Sequence, residues 1–259
     1  MIVFNQRKKI TQENCFLKQD SAREINFLIL HHIEADSAEQ AIEQLLEHKV
    51  SSHFLIAENG EIFQLVDEND IAYHAGVSFW NGCDGLNKSS IGIEILSKDA
   101  VNFGFSEIQM QSCLALCQNL QKKYQIKKRN ILGHSDIAYS SENGFLDRKQ
   151  DPSHLFNWKF LAENNVGIFP KIFLPENEDK MLFELGNKDS AIKEIKENLA
   201  KFGYKITNFT DEFDLEMQLL TRVFHRHFNQ EKFNSDMDFW YLSSSLILDD
   251  LISNCQKLS

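Results

Sequence analysis

No apolar stretch in this sequence is long enough to cross a bilayer, and Met1-Ile2-Val3-Phe4-Asn5-Gln6-Arg7-Lys8-Lys9 has no sustained apolar core behind its basic residues. Neither a membrane span nor a secretory signal peptide is therefore expected. An excess of positive charge is missing too: 27 Lys and Arg stand against 38 Asp and Glu, a formal net charge of -11. Nucleic-acid binding needs clustered cations that displace counterions, so no nucleic-acid partner is expected. The one basic cluster, Lys122, Lys123, Lys127, Lys128 and Arg129, reads as a solvated helix end and turn. The five cysteines (Cys15, Cys83, Cys113, Cys117, Cys255) are odd in number and lack zinc-ribbon or redox spacing. That argues against a disulfide framework and for a reducing compartment, the cytoplasm. Internal repeats and low-complexity tracts are also absent.

What is present is a globular chain, 259 residues long and 42% hydrophobic, large enough to bury its own core. After a polar arm over residues 1 to 24, Ile25 to His32 is a continuous apolar run ending in two histidines, the pattern of a strand buried on both faces. Ser37 with Gln40 forms a capping box that opens a helix to about His48, with Ala41, Leu45 and Leu46 inward. Glu58-Asn59-Gly60 between Ser52–Ala57 and Glu61–Val66 predicts a hairpin. Residues 67 to 89 read as a long loop over the sheet edge. Ser90 to Ile95 alternates strictly, so Ile91, Ile93 and Ile95 face one way and Ser90, Gly92 and Glu94 the other. A second capping box, Ser106 with Gln109, opens a helix of about four turns whose Met110, Cys113, Leu114, Cys117 and Leu120 share a face. Asn130 to His134 is a short strand, and Tyr139 to Arg148 is polar and turn-like.

Residues 165 to 188 shift in composition and read as a linker. Three helices follow, Ser190 to Phe202, Glu212 to Phe228, and Asp238 to about Asn254. The expected fold is α/β, a mixed central sheet flanked by helices over residues 1 to 164, with a small three-helix domain over 189 to 259.

The chemistry-bearing residues gather on two stretches. An imidazole at the carboxyl end of a buried strand lies where open sheets place ligand sites, which singles out His31 or its neighbour His32. His134 sits equally after Gly133, on a segment that also holds Asp136, Lys149 and Asp151, while Glu94 stands on a third. Two imidazoles and a carboxylate make the ligand set of many catalytic zinc sites. Taken singly, Glu94 could be a solvated carboxylate, Lys149 a loop charge and Asp151 a turn-former before Pro152. His48, His225 and His227 lie in helical patterns and read as structural.

Six collinear stretches carry a resemblance: Leu28 to His31, Val50 to Ile56, Ala72 to Gly76, Asn87 to Glu94, Gly133 to Ala138 and Arg148 to Pro152. In these the sequence resembles the AmpD/AmiD-type N-acetylmuramoyl-L-alanine amidases, which are related to phage-lysozyme-type amidases and peptidoglycan recognition proteins. The resemblance implies that His31, His134 and Asp151 bind Zn2+, that Glu94 is the catalytic acid/base and that Lys149 assists at the oxyanion. Asp136 then drops to a structural role. The bond cleaved would join N-acetylmuramic acid, ordinary or 1,6-anhydro, to L-alanine, and the partners would be peptidoglycan fragments or the cell wall. His74, Tyr73 and Trp80, with His53, would line the substrate groove. Asn198 to Tyr204 and Val223 to Phe228 resemble a peptidoglycan-binding three-helix module. A lipoprotein signal, expected of the AmiD branch, is absent. The rival expectation is a muropeptide-recognition protein of the same fold that does not cut; retention of all five residues favours the enzyme.

Overall fold

A computed structural model describes residues 15–139, 147–233 and 236–257. In chain order its first elements are β1 (Phe16–Leu17), β2 (Phe27–Glu34), α1 (Ala38–Glu47), β3 (Phe54–Ile56), β4 (Ile62–Gln64), β5 (Ile71–Ala72), β6 (Phe79–Trp80), β7 (Cys83–Asp84), β8 (Ser90–Ser97), α2 (Glu107–Tyr124) and β9 (Ile131–Gly133). They continue with α3 (His134–Ile137), α4 (Trp158–Glu163), β10 (Met181–Phe183), α5 (Ser190–Phe202), α6 (Leu215–Phe228), α7 (Gln230–Phe233), β11 (Trp240–Tyr241) and α8 (Leu242–Lys257).

The main sheet is mixed, with strand order β4-β3-β8-β2-β9; β3 and β4 pair antiparallel and the other neighbours parallel. Its strands β2 and β8 are the apolar run and the alternating stretch of the sequence. Phe27 to Leu30 are buried on β2, as are Ser90 to Leu96 on β8, so the continuous apolar run of β2 and both faces of the alternating β8 lie inside. Each fully buried Leu or Ile here stabilises by roughly 1.5–3 kcal/mol.

The helices beside the sheet follow their caps. Ser37 Oγ accepts from the Gln40 amide, while the Gln40 side chain accepts from the Asp36 amide, one residue short of a complete capping box. On α2 the box is complete between Ser106 and Gln109, and Met110, Cys113, Leu114, Cys117 and Leu120 are buried as their spacing predicts. The Gln109 amide also donates to the Leu96 carbonyl at 2.6 Å, so the cap that starts α2 anchors it to the end of β8. The arm's described part contributes β1, paired with β5. Lys123 of the basic cluster pairs with Glu68 at 2.9 Å.

The described residues divide into two compact units. The first takes in those up to Val77, then Gly85–His134 and Asp151–Ile168; the second takes in Ser78–Asp84, the described ends of Ser135–Gln150, and the chain from Phe169 onward. This differs from a boundary at residue 164. Part of the stretch that reads as linker is a strand, β10, paired with β11, and two segments from the sheet-bearing half of the sequence join the helices. Trp80 explains one of them. It is fully buried, with its ring against Phe202 and Tyr204 and over Gly203, where an added Cβ would lie 2.6 Å from the indole. Within this unit α5 has the bounds its periodicity predicts; α6 starts three residues later than Glu212 and α8 four later than Asp238.

Candidate metal centre

Pairing in register puts His31 opposite Glu94, Ile29 opposite Gly92 and Phe27 opposite Ser90. Parallel neighbours in register share a face, so His31, Ser90, Gly92 and Glu94 lie on the same side of the sheet, away from the isoleucines of β8. β9 ends at Gly133, paired with Leu30, and hands the chain directly to His134. Asp151 returns to the same place and precedes Pro152 through a cis peptide bond.

Among the described residues, one group of His, Cys, Asp and Glu side chains has the arrangement of a metal centre. His31, His134 and Asp151 offer ligand atoms within 4.8 Å of one another. Asp151 Oδ2 lies 2.9 Å from Nδ1 of both histidines. His32 faces the other way, with Nε2 3.9 Å from the Glu34 carboxylate, so His31 is the histidine brought to the cluster.

The far side of each ring decides what the near side can do. Ser90 Oγ donates to the Leu86 carbonyl at 2.7 Å, so it must accept from His74 Nε2–H at 3.1 Å. A neutral His74 then has its lone pair on Nδ1 and accepts from His31 Nε2–H at 3.0 Å. His74 is kept neutral by burial first, then by the neighbouring histidines, which lower its pKa well below the usual value. His134 Nε2–H donates to the Ala75 carbonyl at 3.2 Å. Both rings thereby keep their hydrogen on Nε2, so that in the neutral form each turns a bare Nδ1 toward the Asp151 carboxylate, and two nitrogen lone pairs and a carboxylate oxygen converge. The donor set fits a divalent cation of the zinc type.

Gly92 is what admits His74. A Cβ there would lie 2.5 Å from the imidazole Cγ, so only glycine leaves room for the ring on this face. On the other side of His74 stands His53, which is completely buried. Its Nδ1 accepts from the Gly92 amide at 3.0 Å and its Nε2–H donates to the Asp70 carbonyl at 3.1 Å. Burial, with the Arg23 guanidinium beside it, lowers its pKa to about 3. Arg23 itself donates to the Ser90 carbonyl at 2.9 Å and is lowered to about 10 by burial.

His74 and His53 are buried with both ring nitrogens engaged by the protein, and Trp80 is buried in the second unit. Tyr73 is half-buried. Glu94 is 7% exposed and sits beside His31 through the strand register. Lys149 is half-buried, stands two residues before Asp151 in the chain and belongs to the second unit. Asp136 accepts from His227 Nδ1 at 2.7 Å, consistent with a structural role. Most of Tyr139 to Asp147 lies outside the described residues.

Residues 21–154 match the family described as N-acetylmuramoyl-L-alanine amidase, Amidase_2. The N-acetylmuramoyl-L-alanine amidase AmiD of Escherichia coli K12 is 31% identical over 234 residues, which cover 83% of this chain and 78% of that protein. The solved complex of E. coli AmiD with anhydro-N-acetylmuramic acid-L-Ala-D-gamma-Glu-L-Lys is similar with a TM-score of 0.71 at 28% identity, over 92% of each chain. AmpDh3 from Pseudomonas aeruginosa, solved with anhydromuramic pentapeptide, is similar with a TM-score of 0.67 at 25% identity, over 100% of this chain and 99% of that one.

Proposed function

This chain belongs to the N-acetylmuramoyl-L-alanine amidase family, and from that premise we propose that His31, His134 and Asp151 hold the zinc with which it hydrolyses the amide between N-acetylmuramic acid and L-alanine. The observation that carries the assignment is the convergence of three unprotonated ligand atoms, each imidazole fixed in tautomer by a partner behind it. The relatives solved with anhydromuramoyl peptides support muropeptides, anhydro forms included, as substrates.

Zinc, when bound, supplies Lewis acidity that polarises a carbonyl and makes water acidic enough to attack near neutral pH. Glu94 takes a proton from the attacking water as its oxygen bonds to the lactyl carbonyl carbon. It then returns the proton to the alanine nitrogen as the C–N bond breaks. Glu94 is buried and stands opposite His31 in the strand register, next to the proposed ligands. Lys149 offers a cation to the developing oxyanion. Tyr73 is the groove contact retained from the sequence.

The chemistry is carried by the sheet-bearing part of residues 1 to 164, and the helices from 189 onward are the candidate wall-binding part. The odd number of cysteines and their lack of paired spacing favour a reducing compartment such as the cytoplasm. No helix among the described residues is long and apolar enough to cross a membrane.

The test is incubation of the purified full chain with anhydro- and ordinary muropeptides, with and without a chelator, reading free stem peptide by mass spectrometry. Release that the chelator abolishes is expected, and metal-independent release would overturn the zinc assignment. Glu94→Gln should keep its zinc and lose turnover by on the order of a hundredfold or more; normal turnover would remove Glu94 from the mechanism.

A further inference from the structure

The segment Ser135–Gln150 leaves directly from one proposed ligand, His134, and ends directly before another, Asp151. Both of its described ends are held inside the second unit by consecutive residues of α6. At the first end, Asp136 Oδ2 accepts from His227 Nδ1 at 2.7 Å, with both side chains at least 98% buried. At the second, Asp147 Oδ2 accepts from Arg226 Nη2 at 2.5 Å, and Arg226 Nη1 makes a long 3.5 Å contact to the Lys149 carbonyl. The guanidinium is 2% exposed and lies 4.9 Å from the centroid of the Phe233 ring.

Cations in the last turn of a helix ordinarily complement its dipole from a solvated position. The Arg226 guanidinium and the His227 imidazole are buried instead and point at segment ends remote in sequence. Burying a guanidinium is costly unless its partner is well placed. Hydrophobic packing of α6 does not call for charge here, because Met217, Leu220, Val223, Phe224 and Phe228 already fill its apolar positions. What the pair secures is the backbone two residues beyond one ligand and four residues before the other, together with the stretch that carries Lys149.

We propose that Arg226 and His227 are positioning residues for the metal centre, clamping the two ends of Ser135–Gln150 so that the covalent chain sets His134, Lys149 and Asp151 in place. The inference rests on the ligand assignment above. It makes α6 part of what tunes the amidase site, in addition to any affinity its helices have for the wall.

Zinc affinity of the full-length protein, measured by competition with a chromogenic chelator, tests this directly. So do kcat and KM at saturating zinc and thermal melting of the metal-free forms. Asp147→Asn and Arg226→Met should each weaken zinc binding by about 10- to 100-fold, and kcat should fall more than KM rises. The double variant should lose little more than either single one, since both remove the same contact. If Arg226→Met does not fold, Asp147→Asn and Arg226→Lys decide the matter. Lower melting temperatures with zinc affinity and kcat unchanged would make the clamp merely structural and overturn the proposal. Wild-type zinc affinity in His31→Ala would instead overturn the ligand assignment, and the clamp with it.

Discussion

Both compact units bury polar side chains, and they satisfy them in opposite ways. In the first, His31, His134 and Asp151 turn acceptor atoms toward one another, and their hydrogens point outward to His74 and the Ala75 carbonyl. In the second, buried cations meet carboxylates, Lys196 with Asp214 at 2.7 Å and Arg226 with Asp147, and the buried Asp136 carboxylate accepts from His227. Acceptors that outnumber their protons require a cation from outside, whereas matched charges require none. A reactive centre and a structural core thus differ less in which residues they bury than in whether the inventory balances.

The largest expected effect breaks the unbalanced side. His31→Ala should remove bound metal and reduce hydrolysis by more than the roughly 10- to 100-fold typical of losing only a partner of a ligand. His32→Ala should spare both, and metal analysis of the two variants checks this.

Breaking a balanced pair should cost stability alone. Asp214→Asn keeps the N-cap of α6 but leaves the Lys196 ammonium, which is fully buried, near only Thr210 Oγ1 at 3.4 Å. With Asp214 itself partly exposed, a loss of about 2–3 kcal/mol in urea unfolding is expected, at the low end for a broken buried pair. Hydrolysis well below the melting temperature should not change.

Gly92→Ala should cost about 2 kcal/mol through overpacking against His74. Unlike Asp214→Asn, it should also weaken zinc binding, because it displaces the partner of His31. Equal zinc affinity in wild type and variant would show that His74 does not set the ligand.

Acid treats the units alike. His53 in the first and His225 in the second are both lowered to about 3, chiefly by burial. Each is neutral when folded and takes up a proton near pH 6.5 when unfolded, so the unfolded chain binds more protons below that point. Their contribution is complete above pH 6.5 and is lost as pH falls toward 3. Going from pH 6.5 to 5.5 should remove about 1 kcal/mol per histidine, and His225→Gln should flatten the urea-unfolding profile by that amount.

Periodicity and caps made much of the framework legible. β2, the Asn59-Gly60 hairpin, α2 and α5 lie where their apolar spacing and, for α2, the Ser106 cap place them. His31, His134 and Asp151 were approachable because strand ends and family likeness both point to them. The supporting residues were less so, since their meaning lies with distant partners. His74 reads as a groove residue on a long loop, and its contacts with Ser90 and His31 appear only in the fold. The signal was nonetheless present in Gly92, a glycine on the same strand face as Glu94, which marks a close approach. Trp80 stands in a loop beside Gly82 and reads as a groove aromatic, but its neighbour Gly203 comes more than a hundred residues later. Composition could not foresee that residues 181–183 would pair with 240–241.

The clamp on Ser135–Gln150 also imposes an order on biosynthesis. Arg226 and His227 follow Asp151 by 75 and 76 residues, so a ribosome adding roughly 5–20 residues per second needs about 4–15 s to reach them after the last ligand is made. Throughout that interval the nascent chain has its three metal ligands while Asp136 and Asp147 still lack their α6 partners. The amidase centre is therefore assembled from both ends of the message, and its final geometry is a late event in translation.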